Sequence, residues 1–319
     1  MSLIGHDDAW SQWRAALASP RMHHAWLLAG KRGLGKMHFA REAAQELVGG
    51  PMPIGGGQHP DIVVLDPAPK DDKEEKKRAD GKPYERKRNI SVGQIRQMQQ
   101  RLTTRPTLGD RRAIIIDPAD DMEAGASNAL LKSLEEPPTG TYFLLVAHRP
   151  ARLLPTIRSR CRIVRFQPLS DSEVERAIRA NDASADVATI EAAVAAAKGS
   201  PGAALEFVEQ DLGKLYKLMQ QLVEQGDTDF TLRGTLSEAI GPRPSRNAIQ
   251  AVLDLSRSIL ASQLTGCDRR TQAAIIAAHG ELVTLAGQAP TYNFDAGLLV
   301  AQIGTLLASA APASERANV

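Results

Sequence analysis

Cysteine is scarce: Cys161 and Cys267 are the only two in 319 residues. Two thiols cannot build a disulfide framework or a four-cysteine metal site, and they fit a reducing compartment. Charge of one sign is also missing. A formal net charge of +2 lacks the footprint of a protein that neutralises many phosphates by itself, so any nucleic acid is expected to be shared with partners. No apolar run approaches a membrane span, so no membrane partner is expected. The opening MSLIGHDDAW has neither a basic start nor an apolar core, which argues against a secretory signal and for a cytoplasmic protein.

What is present begins with ordinary globular composition, 43% hydrophobic and 24% charged, in a chain long enough for two or more domains of ~100–200 residues. The rest is organised around Gly30 to Met37, GKRGLGKM, which follows the phosphate-loop frame G-x-x-x-x-G-K-[S/T] everywhere except its last position. In that frame glycines let backbone N–H groups point at phosphate oxygens and the lysine adds a point charge. Gly30, Gly33, Gly35 and Lys36 are the candidates for these roles. The closing hydroxyl, which holds the Mg²⁺ that bridges the phosphates, is replaced by Met37, whose thioether is a poor ligand for that ion. Ala25 to Ala29 reads as a buried strand and Lys36 to Val48 as a helix stopped by Gly49-Gly50-Pro51, the strand–loop–helix setting that the motif requires. A glycine-rich βα turn with no ligand is the alternative; the in-frame lysine and the flanks favour a nucleotide-binding type of domain.

Upstream, Gly5 to His24 reads as a helical lead-in, with Trp10, Trp13 and Leu17 near one face and a stop at Ser19-Pro20. Downstream, Gly49 to Pro60 is a loop and Ile62 to Asp66 a strand. Lys70 to Arg88 is dense in charge and reads as a solvated, mobile loop, with a nucleic-acid contact through Arg86 to Arg88 as the weaker alternative. Ser91 offers an N-cap to a helix carrying Val92, Ile95 and Leu102, and a turn spans Thr103 to Asp110. Ala113 to Asp117 is a strand ending on an acid, like the second motif of nucleotide sites, in which the aspartate helps hold Mg²⁺ and the next glutamate positions water. Pro118 stands in that glutamate's place, and neither Asp120 nor Asp121 is an obvious replacement. Asp117 as a cap and Asp117 as a metal ligand both stay open.

A helix over Ala124 to Glu135 is stopped by Pro137-Pro138, and strands follow at Thr141 to Ala147 and Arg162 to Phe166. Strands alternating with helices imply a parallel α/β sheet with its ligand crevice at the strands' carboxyl ends. Beyond Pro168 the strand signal ends. Ser170 to Glu173 is a capping box opening a helical series, broken at Gly199 to Gly202 and Gly241 to Pro244. Ile249, Val252, Leu253, Ser256, Ile259 and Leu260 form one apolar stripe, and Leu298, Leu299, Ile303 and Leu306 another. Such stripes are packing surfaces.

Ser127 to Pro138, SNALLKSLEEPP, followed by Thr156 to Cys161, TIRSRC, resembles the clamp-loader branch of the AAA+ ATPases, with the likeness running from His24 to Gly202. The resemblance implies an α/β P-loop AAA+ domain with a parallel five-stranded sheet over 1–167, a small helical lid domain over 168–209 and an all-helical collar domain over 210–310, with 311–319 as a disordered tail. Family members form a ring of five subunits that opens the sliding clamp with ATP and loads it on primed DNA. The partners implied are the delta subunit and the tau/gamma ATPase subunits, with the sliding clamp and primer-template DNA met through the assembled complex. The arginine that reaches a neighbour's nucleotide is, by this resemblance, Arg160, flanked by Ser159 and Cys161. A guanidinium suits that role because it is always charged and grips phosphate with a fork of donors.

Met37, Pro118 and Gly202, the last where the lid of the family carries a nucleotide-sensing arginine, all depart from the hydrolysing pattern. Relatives often carry a four-cysteine zinc module near 49–60; no cysteine lies there, so neither zinc nor another metal is expected. The leading reading is a stator that hydrolyses nothing, needs no cofactor, and binds ATP at most without turnover through Gly30, Gly33, Gly35, Lys36 and Asp117. A working ATPase in which water replaces the missing hydroxyl is the second reading. A direct DNA-binding protein using Arg86 to Arg88, Arg149, Arg152 and Arg158 is the third.

Overall fold

A computed structural model describes residues 3–49, 59–182, 185–241, 244, 246–289 and 294–312. The loop expected over Gly49 to Pro60, where the zinc module would sit, lies largely outside the described residues, as do most of the tail and residues 242 and 243 of the break at Gly241 to Pro244. The chain forms two compact units, Met1–Pro168 and Leu169–Val319.

The first unit runs α1 (Asp7–Leu17), β1 (Ala25–Ala29), α2 (Lys36–Val48), β2 (Ile62–Leu65), α3 (Asp72–Ala79), α4 (Val92–Arg101), β3 (Arg112–Ile116), α5 (Ala124–Glu135), β4 (Thr141–Ala147), α6 (Pro155–Ser159) and β5 (Arg162–Arg165). Its five strands are all parallel in the order β2-β3-β4-β1-β5. β1 and β3 are buried at every position, which is why they read as unbroken apolar runs: helices cover both faces of the sheet. Because side chains alternate across a strand, Ala25, Leu27, Ile114, Ile116, Phe143 and Leu145 join one cluster with α4 and α5. Trp26, Leu28, Ile115, Leu144 and Val146 join the other with α1 and α2. Trp13 of the lead-in helix packs edge-on to Trp26 at 5.2 Å.

Residues 70–88 depart from the mobile loop expected of them. Asp71 caps α3 by accepting the Glu74 N–H at 3.0 Å, acids fill the first turn and bases the last, and this order complements the helix dipole. Buried Glu74 accepts the Lys77 ammonium and the Glu85 N–H, both at 2.7 Å, and Pro69 bridges Arg86 antiparallel. Charge density therefore marks a segment folded by its own ion pairs, a result that composition alone does not reveal.

The second unit is helical: α7 (Asp171–Asn181), α8 (Val187–Ala197), α9 (Pro201–Glu209), α10 (Gly213–Gln225), α11 (Thr231–Ile240), α12 (Arg246–Ser262), α13 (Arg269–Gln288) and α14 (Ala296–Ser309). Ser170 and Glu173 form the capping box that opens α7. One apolar cluster reaches from Val174 to Ala310, so the stretches read as lid and collar share a core. The last stripe holds at Leu299 and Ile303, which are buried, and at Leu306, which packs partly buried against the same cluster, whereas Leu298 is 73% exposed and Val300 and Leu307 are buried in addition.

Candidate functional site

The loop between β1 and α2 has the backbone that a phosphate cradle needs. A Cβ on Gly30 would lie 2.5 Å from the Phe166 carbonyl oxygen, so no side chain fits there. Gly33 and Gly35 have φ of 80° and 77°, a left-handed conformation that glycine adopts freely and that turns successive N–H groups to one side. Lys36, the first residue of α2, is only 2% exposed. Its ammonium donates to the carbonyl oxygens of Gly30 at 2.7 Å and Lys31 at 2.5 Å. Burial lowers its pKa to about 8, against the pull of Asp117 and Asp120.

Asp117 follows β3. Burial raises its carboxyl above the usual range, while Lys36 pulls it down. Oδ1 of Asp117 is buried with no hydrogen-bond partner. Asp120 takes a structural role instead: its carboxylate accepts the N–H groups of His148 at 2.7 Å and Arg149 at 3.0 Å, holding the turn after β4. His148 was not singled out from the sequence. Burial, then the charge of Lys36, push its pKa down to about 4, leaving a neutral imidazole whose buried Nδ1 has no partner. The signal was its place directly after β4, which pairs with β1 in register from Ala25↔Phe143 to Ala29↔Ala147, so both strands end at the same crevice.

An anion suits this donor set. The left-handed glycines, Lys36 and the amino end of α2 fit phosphate. Magnesium does not fit as well: Met37 packs against the apolar cluster on the α1–α2 face, Pro118 has no acid, and Asp120 is committed to backbone donors. Among the described residues no three His, Cys, Asp or Glu side chains converge on one point. Gly202 lies in the first turn of α9 in the second unit.

Arg160 caps the carboxyl end of α6. Its guanidinium pairs with Glu135 at 2.7 Å and donates to the Thr156 carbonyl at 3.0 Å, with the side chain 35% exposed. Ser159 donates its hydroxyl to the same carbonyl at 3.1 Å. Cys161 packs beside the apolar cluster, and burial pushes its thiol up to about 12, which makes it a small hydrophobe and not a nucleophile. The arginines suggested for DNA contact are mostly paired: Arg86 with Asp66 at 2.8 Å, Arg149 with Asp121 at 3.1 Å and Arg152 with Asp121 at 4.0 Å.

A family profile described as DNA polymerase III, delta subunit, matches residues 5–170. The chain belongs to this DNA polymerase III delta family. Within it the chain is 38% identical over 166 residues to the DNA polymerase III subunit delta' of Pseudomonas aeruginosa, a match covering 48% of this chain and 44% of the relative. It is 27% identical over 283 residues to the delta' subunit of Escherichia coli K12, covering 83% and 79%. The Bacillus subtilis delta' subunit matches at 33% over 55% of this chain and 51% of its own length. The chain thus spans about half the length of two of these relatives. A crystal structure of a DNA polymerase III gamma subunit-related protein from Thermotoga maritima superposes with a TM-score of 0.56 at 17% identity, covering 93% of this chain and 98% of that one. The two therefore share a fold, which in this chain is a parallel five-stranded α/β domain followed by helices. No helix among the described residues is long and apolar enough to cross a membrane.

Proposed function

We propose that this chain is the delta-prime subunit of the DNA polymerase III clamp loader, a stator that does not turn over ATP and that lends Arg160 to a neighbouring subunit's nucleotide. The observation that carries this reading is the split character of its own site. The phosphate half is intact in Gly30, Gly33, Gly35 and Lys36, while the metal half is lost at Met37 and Pro118. Magnesium, when bound at a complete site of this type, neutralises the charge that develops on the transferred phosphoryl group. Here Lys36 and the loop would hold phosphate, neutral His148 would face it without adding charge, and nothing beside Asp117 supplies an acid or a water-positioning base.

Arg160 is suited to act elsewhere because little holds it at home. Its pair with Glu135 is solvent-accessible on both sides, and such a pair contributes about 0–1 kcal/mol. A neighbour's phosphate offers a fork of oxygens in exchange. In this reading the helical unit divides by role into a lid over 168–209 and a collar over 210–310 that meets the delta and tau/gamma subunits, and the clamp and primed DNA are met by the assembled ring.

ATP hydrolysis by the reconstituted loader, with clamp and primed DNA present, tests the reading. The isolated subunit is expected to be silent, and Arg160→Ala is expected to lower the ring's rate at one site sharply while the ring still forms; an arginine supplied in trans contributes ~10³–10⁵ in GTPases. Turnover by the isolated subunit that Lys36→Ala abolishes would replace the stator with a motor, the alternative that retention of Lys36 and the free oxygen of Asp117 favour.

A further inference from the structure

Between β2 and α4 the chain makes an excursion that the sheet does not require. Residues 70–88 hold nine lysines and arginines against six carboxylates, an excess of three positive charges in a chain whose net charge is +2. The structure shows where the carboxylates go. Asp71 caps α3, Glu74 and Glu75 pair with Lys77 and Arg78, Asp80 pairs with Lys82 and Glu85 with Lys70. Asp72 alone stays unpaired, in the first turn of α3, where it complements the helix dipole.

Three cations of the segment are left with no carboxylate within ion-pair distance. Lys73 and Lys76, three residues apart on α3, and Lys87, on the strand-like return, are exposed and have no carboxylate partner. Their backbone is fixed: the Lys70 N–H donates to Glu85 at 3.0 Å and the Lys87 N–H to Ala68 at 2.7 Å. These three ammonium groups are thus presented from an ordered frame, which lowers the entropy lost on binding.

We propose that this module contacts the sugar–phosphate backbone of duplex DNA through Lys73, Lys76 and Lys87. The choice of DNA as the polyanion rests on the clamp-loader reading above. Duplex is favoured over single strand because the segment offers no free stacking platform: its one aromatic ring, Tyr84, is covered by the Arg86 guanidinium at 5.2 Å, whereas single-strand sites stack bases on open rings. Lysine point charges without base-reading forks predict binding that ignores sequence.

The test uses the full chain alone and a short labelled DNA duplex, read by fluorescence anisotropy across a salt series. Ring assembly and ATP turnover do not enter this measurement, so its failure and that of the Arg160 prediction are separate results. K73A/K76A/K87A is expected to weaken binding at low salt at least tenfold and to flatten the slope of log K against log salt by about 2.7, at roughly 0.9 per phosphate contact. Its circular dichroism and melting should match wild type. Duplex binding that is undetectable in wild type, or unchanged in affinity and slope in the variant, overturns the proposal. A variant that keeps its DNA binding but no longer joins the other loader subunits overturns it as well, and reassigns the surface to an acidic protein.

Discussion

Lys36 is held in a conflict that its pH dependence should reveal. Its ammonium is buried and bonded only to neutral carbonyl oxygens, and its pKa falls to about 8. Between pH ~8 and the ordinary lysine value of ~10.4, the unfolded chain binds a proton that the folded chain has shed, so stability rises with pH across that window. Below it, the buried charge costs on the order of 1–3 kcal/mol. Lys36→Met removes this linkage. The melting temperature of the variant relative to wild type should therefore be most favourable at pH 7 and decline toward pH 10. A difference that stays flat with pH would mean that the ammonium is solvated in the folded protein. A phosphate bound beside it would raise the same pKa, because a neighbouring anion favours the charged ammonium.

At the scale of elements, the turn between α4 and β3 depends on an ion pair that links two strand beginnings. Asp61 precedes β2 and Arg112 opens β3, and the pairing of Ile62 with Ala113 sets them side by side. The Asp61 carboxylate accepts the N–H groups of Thr107 at 2.5 Å and Leu108 at 2.8 Å. Arg112 donates to the carbonyls of Arg101 at 2.7 Å and Arg105 at 2.9 Å, satisfying the end of α4. Asp61→Ala strands a buried guanidinium and two amides, and should cost about 3–5 kcal/mol in chemical denaturation. A loss below 1 kcal/mol, on the scale of a surface pair, would show that water reaches the turn. Burial pushes the Asp61 carboxyl up, but its amide donors and Arg112 more than offset this, leaving it below the usual value. Its contribution is present above pH ~4 and is lost as pH falls below that, so the variant's deficit should shrink in acid.

At the scale of the molecule, the two clusters that sandwich the sheet draw only on residues from Ala9 to Phe166, and the helical cluster only on residues from Val174 to Ala310. Residues 1–168 expressed alone should therefore fold, with a cooperative melt and protected β1 and β3 amides in hydrogen exchange. Loss of the cooperative transition in that fragment would place part of its stability in the helical unit.

Short-range patterns carried most of this fold. Runs of β-branched and apolar residues bounded by glycine, proline and charge located all five strands, most plainly β1 and β3, which are buried at every position, and the in-frame glycines and Lys36 marked the loop between β1 and α2. That Met37 and Pro118 stand where the motif has a hydroxyl and an acid was likewise legible, because it depends only on which side chain occupies a motif position. What the sequence left open depends on pairing between residues far apart in the chain. Asp120 and Asp121 read alike, yet the N–H groups after β4 engage Asp120 and leave Asp117 with a free oxygen. Arg160 could be placed in its motif but not beside Glu135. A charged run that composition assigned to solvent became a capped helix once its own acids and bases were brought within reach. Periodicity reports which face of an element is buried; only tertiary structure decides which polar groups find partners, because a partner's distance is set by the packing of elements and not by separation along the chain.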